Sequence, residues 1–166
     1  MYTFIVTPNA KTSLGYQVWS SLEAILKEKN VNYQVFFTKY QKHATRLAQK
    51  LTQESGAKTL IVLGGDGTIN EVINGIEDLD GTVLGYIPIG SSNDFARGMG
   101  LSTDPVQALK HILSPEHFTY INIGTAMYAG KTRRFAVSSG LGFDAGVCHQ
   151  VYVSKLKKLL NKLEFI

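Results

Sequence analysis

The stretch LIVLGGDGTINEVING, Leu60–Gly75, sets an apolar run, a glycine-wrapped aspartate and a helical pattern in direct succession. Leu60–Leu63 is too short and too uniformly apolar for an amphipathic helix, so it reads as a buried parallel strand. Ile69, Val72, Ile73 and Ile76 then follow the i, i+3, i+4, i+7 stripe of a helix laid on a sheet. Between them, Gly64, Gly65 and Gly67 lack the Cβ atoms that would hold a ligand off the backbone, and they permit φ > 0. Amide N–H groups and the positive end of the following helix can therefore converge on an anion. Asp66 does not suit a bare phosphate pocket. A carboxylate facing phosphate is favourable when a cation lies between them, and Mg²⁺ shared by carboxylate and phosphate oxygens is the usual arrangement. A local reading stands beside this one: Thr68 and Glu71 spell a T-x-x-E capping box.

Outward from this stretch, strand and helix patterns alternate. Tyr2–Val6 reads as a first strand, and Val18, Leu22, Ile25 and Leu26 stripe a helix after the loop Thr7–Gly15. Val31–Phe37 reads as a second strand, and Ala44, Leu47, Ala48 and Leu51 stripe a second helix ending near Gly56. Val83–Ile87 supplies a fourth strand, and Pro105–Leu113 a helix with proline in its first turn. The expected fold is α/β, a Rossmann-like parallel sheet with helices on both faces and ligands beyond the carboxyl ends of the strands. Near Ser114-Pro115-Glu116 the pattern changes. Phe118–Met127 and Lys131–Ser139 read as two β segments joined by a hairpin turn. We therefore divide the chain into an α/β domain, 1–115, and the incomplete beginning of a β-rich domain, 116–166.

The 166 residues are 44% hydrophobic and carry a net charge of +4, an ordinary globular composition suited to an anionic nucleotide or membrane surface. No apolar run reaches the roughly 18–20 residues that span a bilayer, and Met1–Val6 lacks a basic n-region, so a cytoplasmic protein is expected. The lone Cys148 excludes an internal disulfide and a multi-cysteine zinc site, and reads as a small buried hydrophobe. His43, His111, His117 and His149 lack metal-ligand spacing and read as surface or packing residues. Leu156, Leu159, Leu160 and Leu163 form a helical stripe flanked by Lys157, Lys158 and Lys162, which fits an anionic membrane surface or packing against further protein.

The chain resembles the diacylglycerol kinase catalytic domain family. Its GGDGTINEVING is followed by IPIGSSNDFARGMG at Ile87–Gly100, and a G-x-G-F-D-A segment occurs at Gly140–Ala145. GGDGT alone also occurs in NAD kinases; the joint pattern is that of the lipid-kinase branch. The resemblance implies transfer of the γ-phosphoryl of ATP, with Mg²⁺, to the hydroxyl of diacylglycerol or a similar lipid. It implies catalytic roles for Asp66, also the metal residue, and for Asp94. It implies nucleotide contacts by the opening loop Thr7, Pro8, Asn9, Ala10 and Lys11, and by Thr38, Gly65, Asp66, Gly67, Thr68, Ile69, Asn70, Glu71 and Ser91, the last replacing the family's usual threonine. The opening loop Thr7-Pro8-Asn9-Ala10-Lys11 departs from the family's N-P-x-x-G, with threonine for asparagine and lysine for glycine. Arg97 stands open between neutralising phosphate and pairing with Asp94. A catalytic aspartate is implied beyond Ile166.

The expected partner is a lipid substrate at an anionic membrane surface, with the protein peripheral to the inner face, and no nucleic acid. Unpaired β-edges at Phe118–Ser139 raise the expectation of a homodimer. Two other readings remain: a non-catalytic nucleotide-binding or membrane-docking fragment, and an NAD kinase-like enzyme.

Overall fold

A computed structural model of the chain describes residues 1–8, 14–53, 58–140 and 142–153. The elements run β1 (Tyr2–Val6), α1 (Leu14–Glu28), β2 (Tyr33–Phe37), α2 (His43–Gln53), β3 (Thr59–Gly64), α3 (Asp66–Gly75), β4 (Val83–Pro88), α4 (Asp94–Gly98), α5 (Pro105–Leu113), β5 (Gly124–Tyr128), β6 (Lys131–Phe135) and α6 (Phe143–Val153). Four strands form one parallel sheet in the order β2-β1-β3-β4, and β5 pairs antiparallel with β6 in a second sheet.

The central strands are apolar almost throughout because both faces are covered; the buried exception, Thr3, has a hydroxyl oxygen that accepts from Gln34 Nε2 at 2.9 Å. Phe4, Val6, Ile61, Leu63, Ile87 and Ile89 pack on one face with Trp19, Leu22 and Leu26 of α1 and Leu109 of α5. Ile5, Leu60, Val62 and Tyr86 point the other way, against Ala44, Ala48 and Leu51 of α2 and Ile69, Val72 and Ile73 of α3. Thus α1 and α3, which leave the adjacent strands β1 and β3, lie on opposite faces. Their chains diverge there and open a crevice at the carboxyl edge, the place where open α/β sheets bind ligands.

The second sheet is shorter than the sequence pattern implied. Ile121 and Ile123 do pack against the core, but Phe118–Ile123 has no ladder partner among the described residues, and Tyr120, just before them, is 95% exposed. The hairpin turns at Ala129 and Gly130, whose φ values of 46° and 69° are those of a two-residue turn that follows strand twist. Cys148 is exposed rather than buried, because α6 rests on no core cluster among the described residues. No helix among the described residues is long and apolar enough to cross a membrane. Asn9, Ala10, Lys11, Lys157, Lys158 and Lys162, with the leucine stripe Leu156–Leu163, lie outside the described residues.

Candidate functional site

Three hydroxyls meet in the crevice. The Oγ1 atoms of Thr7, at the end of β1, and Thr68, in the first turn of α3, are 2.9 Å apart. Thr38, at the end of β2, donates to Thr7 Oγ1 at 3.3 Å. A cavity of about 210 Å³ opens beside them, lined by Thr7, Pro8, Thr38, Lys39, Tyr40, Gln41, Thr68 and Glu71. Residues from three separate strand ends, widely spaced in sequence, share one wall because parallel strands bring their carboxyl ends to one edge.

The glycine loop meets its role differently from the expectation. None of Gly64, Gly65 and Gly67 adopts a positive φ; Gly65 is extended at φ −98°. What glycine supplies at position 65 is proximity. A Cβ there would meet Gly90 Cα at 3.2 Å, and one on Gly90 would meet Gly65 Cα at 2.7 Å, so the loops after β3 and β4 cross backbone to backbone. At Gly67 an added Cβ would meet nothing within 4 Å. That side of the first turn of α3 is open space, beside amides that point out of the helix start.

The capping box does not form. Thr68 and Ile69 donate their N–H groups to Gly65 O at 2.9 and 3.2 Å, so α3 starts at Asp66 with Gly65 as its N-cap. Thr68 is then inside the helix and its hydroxyl turns to Thr7. Glu71 Oε1 accepts from the Lys42 N–H at 2.9 Å, tying α3 to the wall that runs from Thr38 to α2. Lys42 needs the tie, since its φ of 66° is left-handed backbone that a lysine adopts only under constraint. Asp66 lies at the positive end of α3, and its Oδ1 accepts from the Phe95 N–H at 3.0 Å. Its Oδ2 accepts no hydrogen bond among the described residues. Beneath it, Tyr86 donates to Gly64 O at 3.2 Å, and burial, then the Asp66 charge, raises the phenol's pKa above its ordinary value.

Other expected residues lie elsewhere. The Ile69 side chain is 2% exposed and sits in the core, so it is not the side chain that would face a nucleotide. Asn70 turns towards β6: in the amide orientation that satisfies its neighbours, it donates to Arg134 O at 3.1 Å and accepts from Arg133 at 3.3 Å. Ser91 and Asp94 are exposed on the rim after β4, and neither bonds to the threonine cluster among the described residues. Asn93 holds that rim in shape, with φ 53° and its Oδ1 accepting from the Gly90 N–H at 2.8 Å. Arg97 makes no ion pair with Asp94 among the described residues; its guanidinium reaches Ser92 O at 3.5 Å.

Sequence reasoning missed the roles of three residues, His43 among them having read only as a surface or packing residue. Asn74 donates to Arg134 O and accepts from Arg134 N–H, both at 2.9 Å, so its amide pairs with β6 as a strand backbone would. The Arg134 guanidinium donates to Ile73 O at 3.0 Å and to Ile76 O, a cation on the last carbonyls of α3. His43 Nδ1 accepts from the Lys39 N–H at 3.0 Å. Asn74 carried a signal, one turn after Asn70 on the same helix face; Arg134 and His43 carried none, since their partners are backbone groups of other turns.

Residues 1–126 match the diacylglycerol kinase catalytic domain. The chain belongs to that family. A Bacillus subtilis (strain 168) protein that carries a lipid kinase name, YtlR, is 34% identical over 171 residues, covering 98% of this chain and 55% of that protein. The protein named diacylglycerol kinase in Staphylococcus saprophyticus subsp. saprophyticus is 47% identical over 113 residues, 68% of this chain and 35% of that protein. A crystal structure of a diacylglycerol kinase from Bacillus anthracis str. Sterne superposes with a TM-score of 0.65 at 28% identity, covering 79% of this chain and 44% of that one. The chain therefore spans about half the length of these relatives, or less.

Proposed function

We propose that these residues form the nucleotide-binding part of a lipid kinase that transfers the γ-phosphoryl of ATP to the hydroxyl of diacylglycerol or a similar lipid. The observation that carries this reading is the crevice itself. Three hydroxyls and a cavity stand beside a helix start whose first turn is open at Gly67. Donors of that kind suit phosphate and ribose oxygens. No cluster of three or more His, Cys, Asp or Glu able to hold a metal occurs among the described residues, and the reading needs none. Mg²⁺ is commonly held by one or two carboxylates together with substrate phosphates, and Asp66 offers one carboxylate oxygen free of hydrogen bonds. When bound, the cation would neutralise charge on the transferred phosphoryl group.

Within this reading Thr7, Thr38 and Thr68 bind the nucleotide, with Pro8 and Glu71 on the same wall and Ser91 and Asp94 on the rim that faces the acceptor hydroxyl. Gly65 and Gly90 bring the two loops close enough to act on one ligand. The lipid would be met at an anionic membrane surface, with Lys157, Lys158 and Lys162 as basic contacts and Asn9, Ala10 and Lys11 completing the nucleotide loop. Residues 116–166 would begin the lipid-binding domain.

Titration of the chain with Mg-ATP by calorimetry tests the nucleotide site, and radiolabelled phosphate transfer to diacylglycerol by the longest protein that carries this sequence tests the reaction. Saturable binding and labelled phosphatidic acid are expected. Absence of Mg-ATP binding in both proteins would overturn the reading.

A further inference from the structure

We infer that His43 is a positioning residue for the nucleotide cavity: its neutral imidazole holds the wall Thr38–Lys42, and protonation releases that wall. The inference deepens the proposed nucleotide site and rests on it. Of the eight residues lining the cavity, Thr38, Lys39, Tyr40 and Gln41 are consecutive and belong to one loop. That loop is held at two backbone amides by side chains. Lys42 N–H is taken by Glu71 of α3 at 2.9 Å, and Lys39 N–H by His43 Nδ1 at 3.0 Å. The same imidazole stacks on the Tyr40 ring, with centroids 4.6 Å apart and planes at 24°. His43 thus fixes both the start of the wall and its aromatic residue.

The chemistry of the contact sets a condition. A ring nitrogen accepts a hydrogen bond only while it carries no proton, and an imidazolium is a donor at both nitrogens. Protonation converts the Lys39 contact from donor–acceptor to donor–donor. Arg46, one turn along α2, lies with its guanidinium carbon 5.7 Å from the Tyr40 centroid and donates to the Tyr40 hydroxyl at 3.2 Å. Lys39 and Lys42 flank the loop, and Glu71 is the carboxylate that reaches it from α3. A new cation at His43 therefore joins a largely cationic neighbourhood while the acceptor is lost.

The test compares wild type, His43→Asn and His43→Phe. Asparagine keeps a neutral acceptor that does not titrate; phenylalanine keeps the stack on Tyr40 and removes the acceptor. From about pH 7.5 to about pH 5.5 the Mg-ATP Kd should rise about three- to tenfold more in wild type than in His43→Asn, the fold-change of one lost hydrogen bond. Using the difference between proteins cancels titration of ATP itself. His43→Phe should bind at neutral pH as weakly as acidified wild type. In the nucleotide-free chain, the Lys39 amide resonance should follow the His43 titration in wild type and stay still in His43→Asn. Parallel affinity profiles for wild type and His43→Asn, or a Lys39 amide indifferent to His43, would overturn the inference. A Lys39 amide that follows His43 in a chain that binds no nucleotide would uphold the hold on the wall and sink the proposed nucleotide site instead.

Discussion

Gly67 and Asp66 are neighbours under opposite constraints. Nothing in the folded chain occupies the space of a Cβ at Gly67, which stands in the first turn of a helix where glycine is a poor choice. Gly67→Ala should raise stability by up to about 0.5–1 kcal/mol, because alanine loses less backbone entropy in a helix. If phosphate needs that space, the same variant should bind Mg-ATP more weakly. Denaturant midpoints and calorimetry on one preparation check both signs, and unchanged affinity would leave the glycine without a ligand role. Asp66 has a structural task as well as a chemical one, since its carboxylate receives the Phe95 N–H and so joins the loops after β3 and β4. Asp66→Ala should cost about 1.5–3 kcal/mol of stability in addition to nucleotide binding, as expected for a hydrogen bond to a charged group. Asp66→Asn keeps an acceptor for Phe95 and removes the charge. It should recover most of the stability while the Mg²⁺ dependence of binding stays lost.

Helix α3 works at both ends. Its start carries the site, and its last carbonyls are covered by Arg134, while Asn74 pairs with the backbone of β6. The hairpin is thereby clasped to the element that presents Asp66 and Thr68. A two-stranded hairpin is marginal alone, so its order should depend on this clasp. Arg134→Ala should destabilise the chain by about 2–3 kcal/mol and speed amide exchange in Gly124–Phe135 ahead of the parallel sheet. Hydrogen exchange read by mass spectrometry checks the order of loss; equal acceleration in β1 and β3 would mean that the clasp supports the whole fold. The elements of the large sheet were legible from pattern alone, with α5 at Pro105–Leu113 and β1 at Tyr2–Val6 as read. The segment Phe118–Ile123 was not. Its alternation is real and two isoleucines face inward, yet a strand is defined by a partner that no local pattern reveals.

For the molecule as a whole, the candidate site draws on three strand ends of the parallel sheet and on the start of α3. Thr7, Thr38 and Thr68 belong to three strand ends, so a ligand that binds all three adds its affinity to global stability. At a concentration of Mg-ATP one hundred times Kd, the chain should gain about 2.7 kcal/mol, which for this size raises Tm by about 5–11 °C. Differential scanning fluorimetry across a nucleotide series checks it. The shift should vanish in Asp66→Asn at the same concentrations, and a shift that persists there would remove Asp66 from the nucleotide site.

The chain's linear pattern determined the architecture. Apolar runs too short for helices, alternating with 3.6-residue stripes, admit one economical packing, a parallel sheet covered on both faces, and that packing puts the loop ends at one edge. The same pattern placed Thr7, Thr38 and Thr68 at that edge, and it pointed to Asp66 because glycine and carboxylate beside a helix start are legible locally. Tertiary structure alone decided what those residues do for one another. Thr68 and Glu71 read as a cap and became bridges to β1 and to the wall before α2, because Gly65 took the N-cap three residues before Thr68. Gly65 read as a site of positive φ and proved to be a crossing with Gly90, a clearance between residues 25 positions apart that no local rule encodes. His43 read only as a surface or packing residue and Arg134 drew no notice in sequence, since a side chain that serves a backbone N–H or C=O leaves no periodic trace.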